Sequence, residues 1–180
     1  VYSWRRLVDP KTTSPFAWFA ALAGIANAQN IIDGKAAPET LGVTAVDAHT
    51  LRVQLDKPLP WFSNLTASFA FYPVQKANVD SGANWTRPGS LVGNGAYVLN
   101  NRVVNEKLVL VPNTHYWDNA KTVIQQVTFV PINQESAATK RYLAGDIDIT
   151  ESFPKNMYQK LLKDIPGQVY TPPQLGTYYY

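Results

Sequence analysis

The sequence predicts an α/β protein whose first half is an α+β unit, and three observations carry that prediction. Residues 1–81 mix helical apolar spacing with one short alternating stretch. A run rich in Gly, Asn, Ser and Pro, from Gly82 to Gly95, then marks a candidate domain boundary. Beyond it come a hairpin, a strand, a helix and a second alternating stretch. That order favours a parallel sheet with a right-handed crossover.

The elements follow in order. Val1 to Leu7 reads as the middle of an amphipathic helix that stops near Val8-Asp9-Pro10. Ser14-Pro15 predicts the next helix, with Ser as N-cap and Pro in the first turn. Phe16, Phe19, Ala20, Ala23 and Ala26 would form its apolar face. A short helix is predicted from Ala28 to Ile32, ended by Asp33-Gly34. Leu41 to Leu55 reads as a hairpin: Val43 to Val46 lead in, Asp47-Ala48-His49 turn, and Leu51, Val53 and Leu55 alternate with polar residues. Pro58-Leu59-Pro60 breaks it, and Trp61, Phe62, Leu65 and Phe69 mark a buried helix face. Pro73-Val74 starts another helix, to about Val79.

In the second half, Gly93-Asn94-Gly95 leads into a hairpin from Ala96 to Val111, and Tyr116-Trp117 are expected to fill core beneath it. Val127 to Val130 is a strand. Gln134 to Ala144 is a helix stopped by Gly145. Ile147 and Ile149 alternate with Asp146 and Asp148 as a short strand. Pro154 to Lys163 is a helix with Ser152 as a nearby cap, and Val169-Tyr170 and Thr177 to Tyr180 are closing strands. An uncapped helix at one end and a truncated strand at the other make this, by expectation, an internal piece of a longer protein.

Composition narrows the functional classes. The 180 residues are 46% hydrophobic and 12% aromatic, enough to bury a core. Charged residues are 16%, below the roughly 25% of an average domain, so Asn, Gln, Thr and Ser must carry much of the surface. The net charge is +3, and the basic pairs Arg5-Arg6 and Lys140-Arg141 read as solvated faces, so no nucleic-acid partner is expected. There is no cysteine, which excludes disulfides and thiolate metal sites. No signal peptide and no long apolar span is found.

Little in the sequence reads as chemistry. Asp146, Asp148 and Glu151 cluster closely, and two carboxylates two apart on a strand share a face. They could serve a hydrolase or a hard cation, or simply line the polar side of a half-buried strand. His49 and His115 belong to no paired-His motif, and neither a nucleophile elbow nor a phosphate-binding loop is present. Tyr178 and Tyr180 would face one way on a strand and Tyr179 the other, so one of the three could line a cleft. A signalling module that uses the Gly82 to Gly95 loop as a contact surface is a further alternative.

A resemblance goes further. It is carried by Val1-Tyr2-Ser3-Trp4-Arg5-Arg6-Leu7-Val8-Asp9-Pro10, Ala45-Val46-Asp47-Ala48-His49-Thr50-Leu51 and Asn94-Gly95-Ala96-Tyr97. Further matches are Tyr116-Trp117-Asp118-Asn119-Ala120-Lys121-Thr122-Val123, the run Arg141 to Thr150, and Gly176-Thr177-Tyr178-Tyr179-Tyr180. In this order and spacing they resemble the periplasmic oligopeptide-binding receptors of bacterial ABC importers, solute-binding protein family 5. The branch they resemble most takes the murein tripeptide L-Ala-γ-D-Glu-meso-diaminopimelate.

The resemblance implies a three-lobed parent. Residues 1–90 would be most of a small extra lobe, and residues 91–180 part of the first ligand-clamping lobe, an α/β sheet of the second periplasmic-binding-protein type. It implies capture without catalysis, no cofactor and no metal. The partners it implies are a short peptide ligand and, through the full-length parent, a membrane ABC permease. The periplasm is the implied location. Onto this chain it carries Phe16, where the oligopeptide receptors have Tyr, then Thr150, Glu151 and Ser152 after a strand end, and Gly176, Thr177 and Tyr179 on a strand beside the peptide. Gly176 stands where those receptors have a larger residue, which would widen the pocket. A γ-linked D-Glu leaves an α-carboxylate free and calls for a cation, for which Arg141 is a weak candidate here. A sheet cut through exposes edges, so the isolated piece is expected to self-associate and to bind ligand weakly or not at all.

Overall fold

The computed structural model describes residues 1–174 and 176. Runs of short helices and runs of strands succeed one another along these residues, and the chain divides into two compact units. The first comprises Val1–Val104 with Leu108–Thr128, the second Asn105–Lys107 with Phe129–Tyr180.

In the first unit, α1 (Tyr2–Val8), α2 (Trp18–Leu22) and α3 (Ala28–Ile32) are each shorter than two full turns or close to it. Isolated helices of that length do not hold in water, so packing must hold them. Leu7, Val8, Ala20, Ala23, Ile25, Ala28 and Ile31 bury together with Leu41, Val43 and Phe71. The small alanines let the short helices approach closely around Ile25 and Ile31. Trp4 seals one side: its indole N–H donates to the Phe71 carbonyl at 2.9 Å, with the rings 4.8 Å apart.

The predicted first hairpin is present. Strands β1 (Val43–Ala45) and β2 (Leu51–Val53) pair antiparallel with Val43 opposite Val53. Gly42 sits at a close crossing, where an added Cβ would lie 2.8 Å from both the Ala26 Cβ and the Gln54 carbonyl oxygen. Two further helices, α4 (Phe62–Leu65) and α5 (Lys76–Asp80), complete this part.

Several expectations change here. The helix after Ser14 begins only at Trp18, because the Ser14 hydroxyl accepts the Phe16 N–H and caps a turn instead. Trp61 and Phe69 are exposed, not buried. A one-turn helix can turn only Phe62 and Leu65 inward, and the tight turn Phe69–Phe71 delivers Phe71 to the core in their place. The helix expected from Pro73 starts at Lys76, since Val74 is tied on both backbone groups to the Ser3 hydroxyl.

A three-stranded sheet follows, ordered β3 (Tyr97–Val103), β4 (Lys107–Pro112), β5 (Val127–Phe129). In the second unit, α6 (Glu135–Leu143) ends at Gly145, whose φ of 79° is a left-handed stop. The tail beyond folds back, with the Asp146 N–H donating to the Arg141 carbonyl. Residues 146–149 therefore form no strand, and the strand predicted on Ile147 and Ile149 is corrected: Ile149 is 83% exposed. The helix after Pro154 opens as a tight turn, Lys155–Met157, before α7 (Tyr158–Asp164), and Ser152 provides no side-chain cap. Val169-Tyr170 is not a strand either. Thr177 to Tyr180 lie outside the described residues.

Candidate functional site

The residues singled out as ligand contacts fall in three places. Phe16 lies in the turn before α2, 40% exposed, edge-on to Phe69 with centroids 4.8 Å apart. The two rings form a wall of an open groove of about 340 Å³, together with Tyr72, Thr13, Ser14 and the stem of Arg6. The groove lining therefore mixes aromatic rings with hydroxyl-bearing side chains, among them Ser3, Thr12, Thr13 and Ser14. That combination suits a ligand with an apolar side chain and a polar backbone. The Arg6 guanidinium also lies over the Trp85 ring, 5.8 Å from its centroid.

Thr150, Glu151 and Ser152 occupy the turn between α6 and α7. Thr150 is half-buried and its hydroxyl donates to the Ser152 carbonyl at 3.0 Å, leaving the Glu151 and Ser152 side chains exposed. Gly176 is exposed, with open space where a Cβ would stand. Thr177 and Tyr179 lie outside the described residues.

The alternative chemistry loses its geometric basis. Asp146 and Asp148 are not on a strand, so no pleat aligns them. Asp146 faces Arg141, whose Nε is 3.7 Å from its carboxylate. Among the described residues no group of His, Asp and Glu side chains could hold a metal. Arg141 is thus partnered on the surface. His49 and His115 each donate a backbone N–H to an Asx turn, from Asp47 and Asn113 respectively.

Tyr116 and Trp117 divide. Tyr116 lines a second open groove, of about 390 Å³, with Tyr97, Lys121, Val123 and Ile124. Trp117 is 83% exposed, so the expectation that it fills core beneath the hairpin is corrected.

Two asparagines went unremarked in the sequence, and they fix the Gly82 to Gly95 run. Buried Asn78 donates to the Ser90 carbonyl at 2.6 Å and accepts the Val92 N–H at 3.0 Å. Buried Asn113 donates to the Gly95 carbonyl at 2.9 Å, and its own N–H reaches the Ala96 carbonyl. The signal available in the sequence was weak: a polar residue within helical or strand surroundings, next to a loop that needs partners.

Comparison with known proteins sets these features in a family. Residues 1–180 match the family described as bacterial extracellular solute-binding proteins, family 5 Middle. Over all of its 180 residues the chain is 87% identical to the periplasmic murein peptide-binding protein MppA of Escherichia coli K12, of which it covers 34%. It is 49% identical, over 182 aligned positions, to the periplasmic oligopeptide-binding protein OppA of Salmonella typhimurium, again covering 34% of that relative. A solved structure of the E. coli murein tripeptide-binding protein overlays 96% of the chain with a TM-score of 0.91 at 86% identity, and the overlay takes in 34% of that structure. The chain thus spans about a third of the length of the curated relatives it matches. Among the described residues no helix is long and apolar enough to cross a membrane.

Proposed function

The chain belongs to family 5 of the bacterial extracellular solute-binding proteins, and from that premise we propose that the protein containing it is a periplasmic receptor for short peptides. Its ligand is the murein tripeptide L-Ala-γ-D-Glu-meso-diaminopimelate, handed on to a membrane ABC importer. One observation carries this reading: identity to the murein peptide-binding protein is 87%, against 49% to an oligopeptide-binding relative, across the same residues. A divergence of that size separates the two branches well within one fold.

The mechanism is capture, with no bond made or broken. Two lobes hinge shut on an extended peptide. Backbone groups pair with it as with an added strand, and side-chain pockets and charges select among ligands. In this reading residues 1–90 belong to a small lobe and residues 91–180 to part of a clamping lobe. Phe16 offers its ring face to the ligand. Thr150, Glu151 and Ser152 supply hydroxyls and a carboxylate, and Gly176, Thr177 and Tyr179 follow the peptide. The mixed aromatic and hydroxyl-bearing lining of the groove beside Phe16 supports the first of these assignments.

A general oligopeptide receptor is the second reading, favoured by the 49% identity to the Salmonella protein. Calorimetric titration of the full-length protein with murein tripeptide, beside an α-linked tripeptide of ordinary residues, separates the two. Tighter binding of the murein peptide supports the first reading. Equal or reversed preference supports the second, and no heat with either removes both. Phe16→Tyr in the same assay should leave tripeptide affinity almost unchanged; a large change would unseat the assignment of Phe16.

A further inference from the structure

The chain contains one Asn-Gly pair, Asn94-Gly95, and one Asp-Gly pair, Asp33-Gly34. Both dipeptides carry the same latent chemistry. The nitrogen of the following glycine can attack the side-chain carbonyl carbon, because no Cβ on that glycine stands in the way. The structure treats the two pairs very differently.

Asp33-Gly34 is locked. The Gly34 N–H donates to the Ile31 carbonyl at 2.9 Å, so its nitrogen is engaged. The Asp33 carboxylate accepts from Gln29 at 2.7 Å and from Lys35 at 2.9 Å, which pins it away from its own backbone. At Asn94-Gly95 neither restraint exists. Both residues are exposed, and among the described residues neither the Asn94 side chain nor the Gly95 N–H makes a hydrogen bond. Nothing stands within 4 Å of the place a Gly95 Cβ would occupy. Among the described residues, Asn113 holds the Gly93 and Gly95 carbonyls on either side of Asn94.

We infer that Asn94 is a site of spontaneous, succinimide-mediated deamidation in the folded protein. Solvent hydroxide removes the Gly95 amide proton. The Gly95 nitrogen bonds to Asn94 Cγ, the Cγ–Nδ2 bond breaks, and the leaving nitrogen takes a proton from water and departs as ammonia, regenerating the hydroxide. Water then opens the ring at either carbonyl, giving aspartate or isoaspartate. No oxidant, reductant or enzyme is required. The product adds a negative charge and, in the isoaspartate, one more backbone atom between the two carbonyls that Asn113 grips. The clamp on this loop is then broken from within.

The test ages the full-length protein at mildly alkaline pH, once folded and once in denaturant, and maps peptides by mass and by isoaspartyl methyltransferase labelling. For each pair the ratio of folded to unfolded rate is the readout. We expect a ratio near one at Asn94 and a ratio far below one at Asp33. In folded Gly95→Ala, modification should slow by about tenfold, equivalent to roughly 1.4 kcal/mol of barrier. An Asn94 that reacts unfolded but stays intact when folded overturns the inference. So does an unchanged rate in Gly95→Ala. Neither readout depends on any bound peptide, so the result stands apart from the receptor assignment.

Discussion

Residues 1–81 and residues 129–174 are both built from short elements, yet they are held in different ways. In the first region, helices of five to seven residues converge on Ile25, Ile31 and Val43, all at most 1% exposed. Distant backbone groups are gripped by side chains, as Val74 is by Ser3 and Phe71 by Trp4. In the second region the buried side chains among the described residues are Ala138, Thr139 and Leu161. Ile149 and Tyr170 stand in solvent there, and Lys160 pairs with Asp164 on the surface of α7, a contact that adds little. The difference teaches that element length does not decide local stability. Convergence on a shared core does.

Truncating the core should therefore break the two regions unequally. Ile31→Ala removes a side chain with no exposed surface and is expected to cost about 2–5 kcal/mol. Leu161→Ala removes a residue buried to 3% exposure but with few buried neighbours, so its site can collapse, and its loss belongs at the low end of that range. Urea unfolding of the full-length protein, with hydrogen exchange resolved by region, measures both. Equal losses would erase the distinction.

The loop clamp offers a sharper cut. Asn78→Ala leaves the Val92 N–H and the Ser90 carbonyl without their partner, at an expected cost of about 1–3 kcal/mol. Exchange of the Val92 amide should accelerate while core amides of α3 hold. Asn78→Asp keeps the acceptor for Val92 but loses the donor to Ser90, so Val92 should regain part of its protection. A Val92 amide indifferent to both changes would mean that the clamp does not restrain the loop.

Two glycines compare the regions on backbone grounds. Gly42→Ala forces a Cβ against backbone and Ala26 at 2.8 Å, an overpacking cost of about 1–3 kcal/mol. Gly145→Ala meets open space but keeps a φ of 79°, for roughly 1–2 kcal/mol. Thermal melts rank them, and a larger loss at Gly145 would place the tighter constraint at the end of α6.

Where sequence reasoning succeeded, the determinants were local. The 28–32 helix, the 43–53 hairpin and the stop at Gly145 each carry their own signal within a few residues. Where it failed, a distant partner decided. Ser3 delays α5 by holding Val74, and Phe71 takes the core position that periodicity assigned to Trp61 and Phe69. Asp146 to Ile149 have strand alternation but no paired neighbour among the described residues, and alternation alone does not make a ladder. Of the candidate ligand contacts, Phe16 was legible locally only as an aromatic of a predicted apolar helix face, its contact with Phe69 was not legible, and its proposed ligand role rests on family resemblance. The hydroxyls of 150–152 were legible only through family resemblance, because nothing local distinguishes them from any polar turn.

The smallest expected effect lies in the turn of the first hairpin. The Asp47 carboxylate accepts the His49 N–H at 2.8 Å, and that bond, with help from Thr50, holds its pKa below the usual carboxylate range. Because the folded value is the lower one, the turn's contribution is complete above the unfolded pKa of about 3.9 and fades as pH falls through the folded value. The group is exposed, so salt should shrink the effect. Carboxyl chemical shifts followed against pH should show Asp47 titrating below the usual carboxylate range. Asp47→Asn keeps an oxygen for the His49 N–H without the charge. It should leave the hairpin paired and remove this step from the pH dependence of stability, whereas Asp47→Ala should loosen the turn at every pH. If Asp47 titrates within the usual carboxylate range, the hydrogen bond contributes orientation alone, and the turn is held by the β1–β2 pairing, not by its side chain.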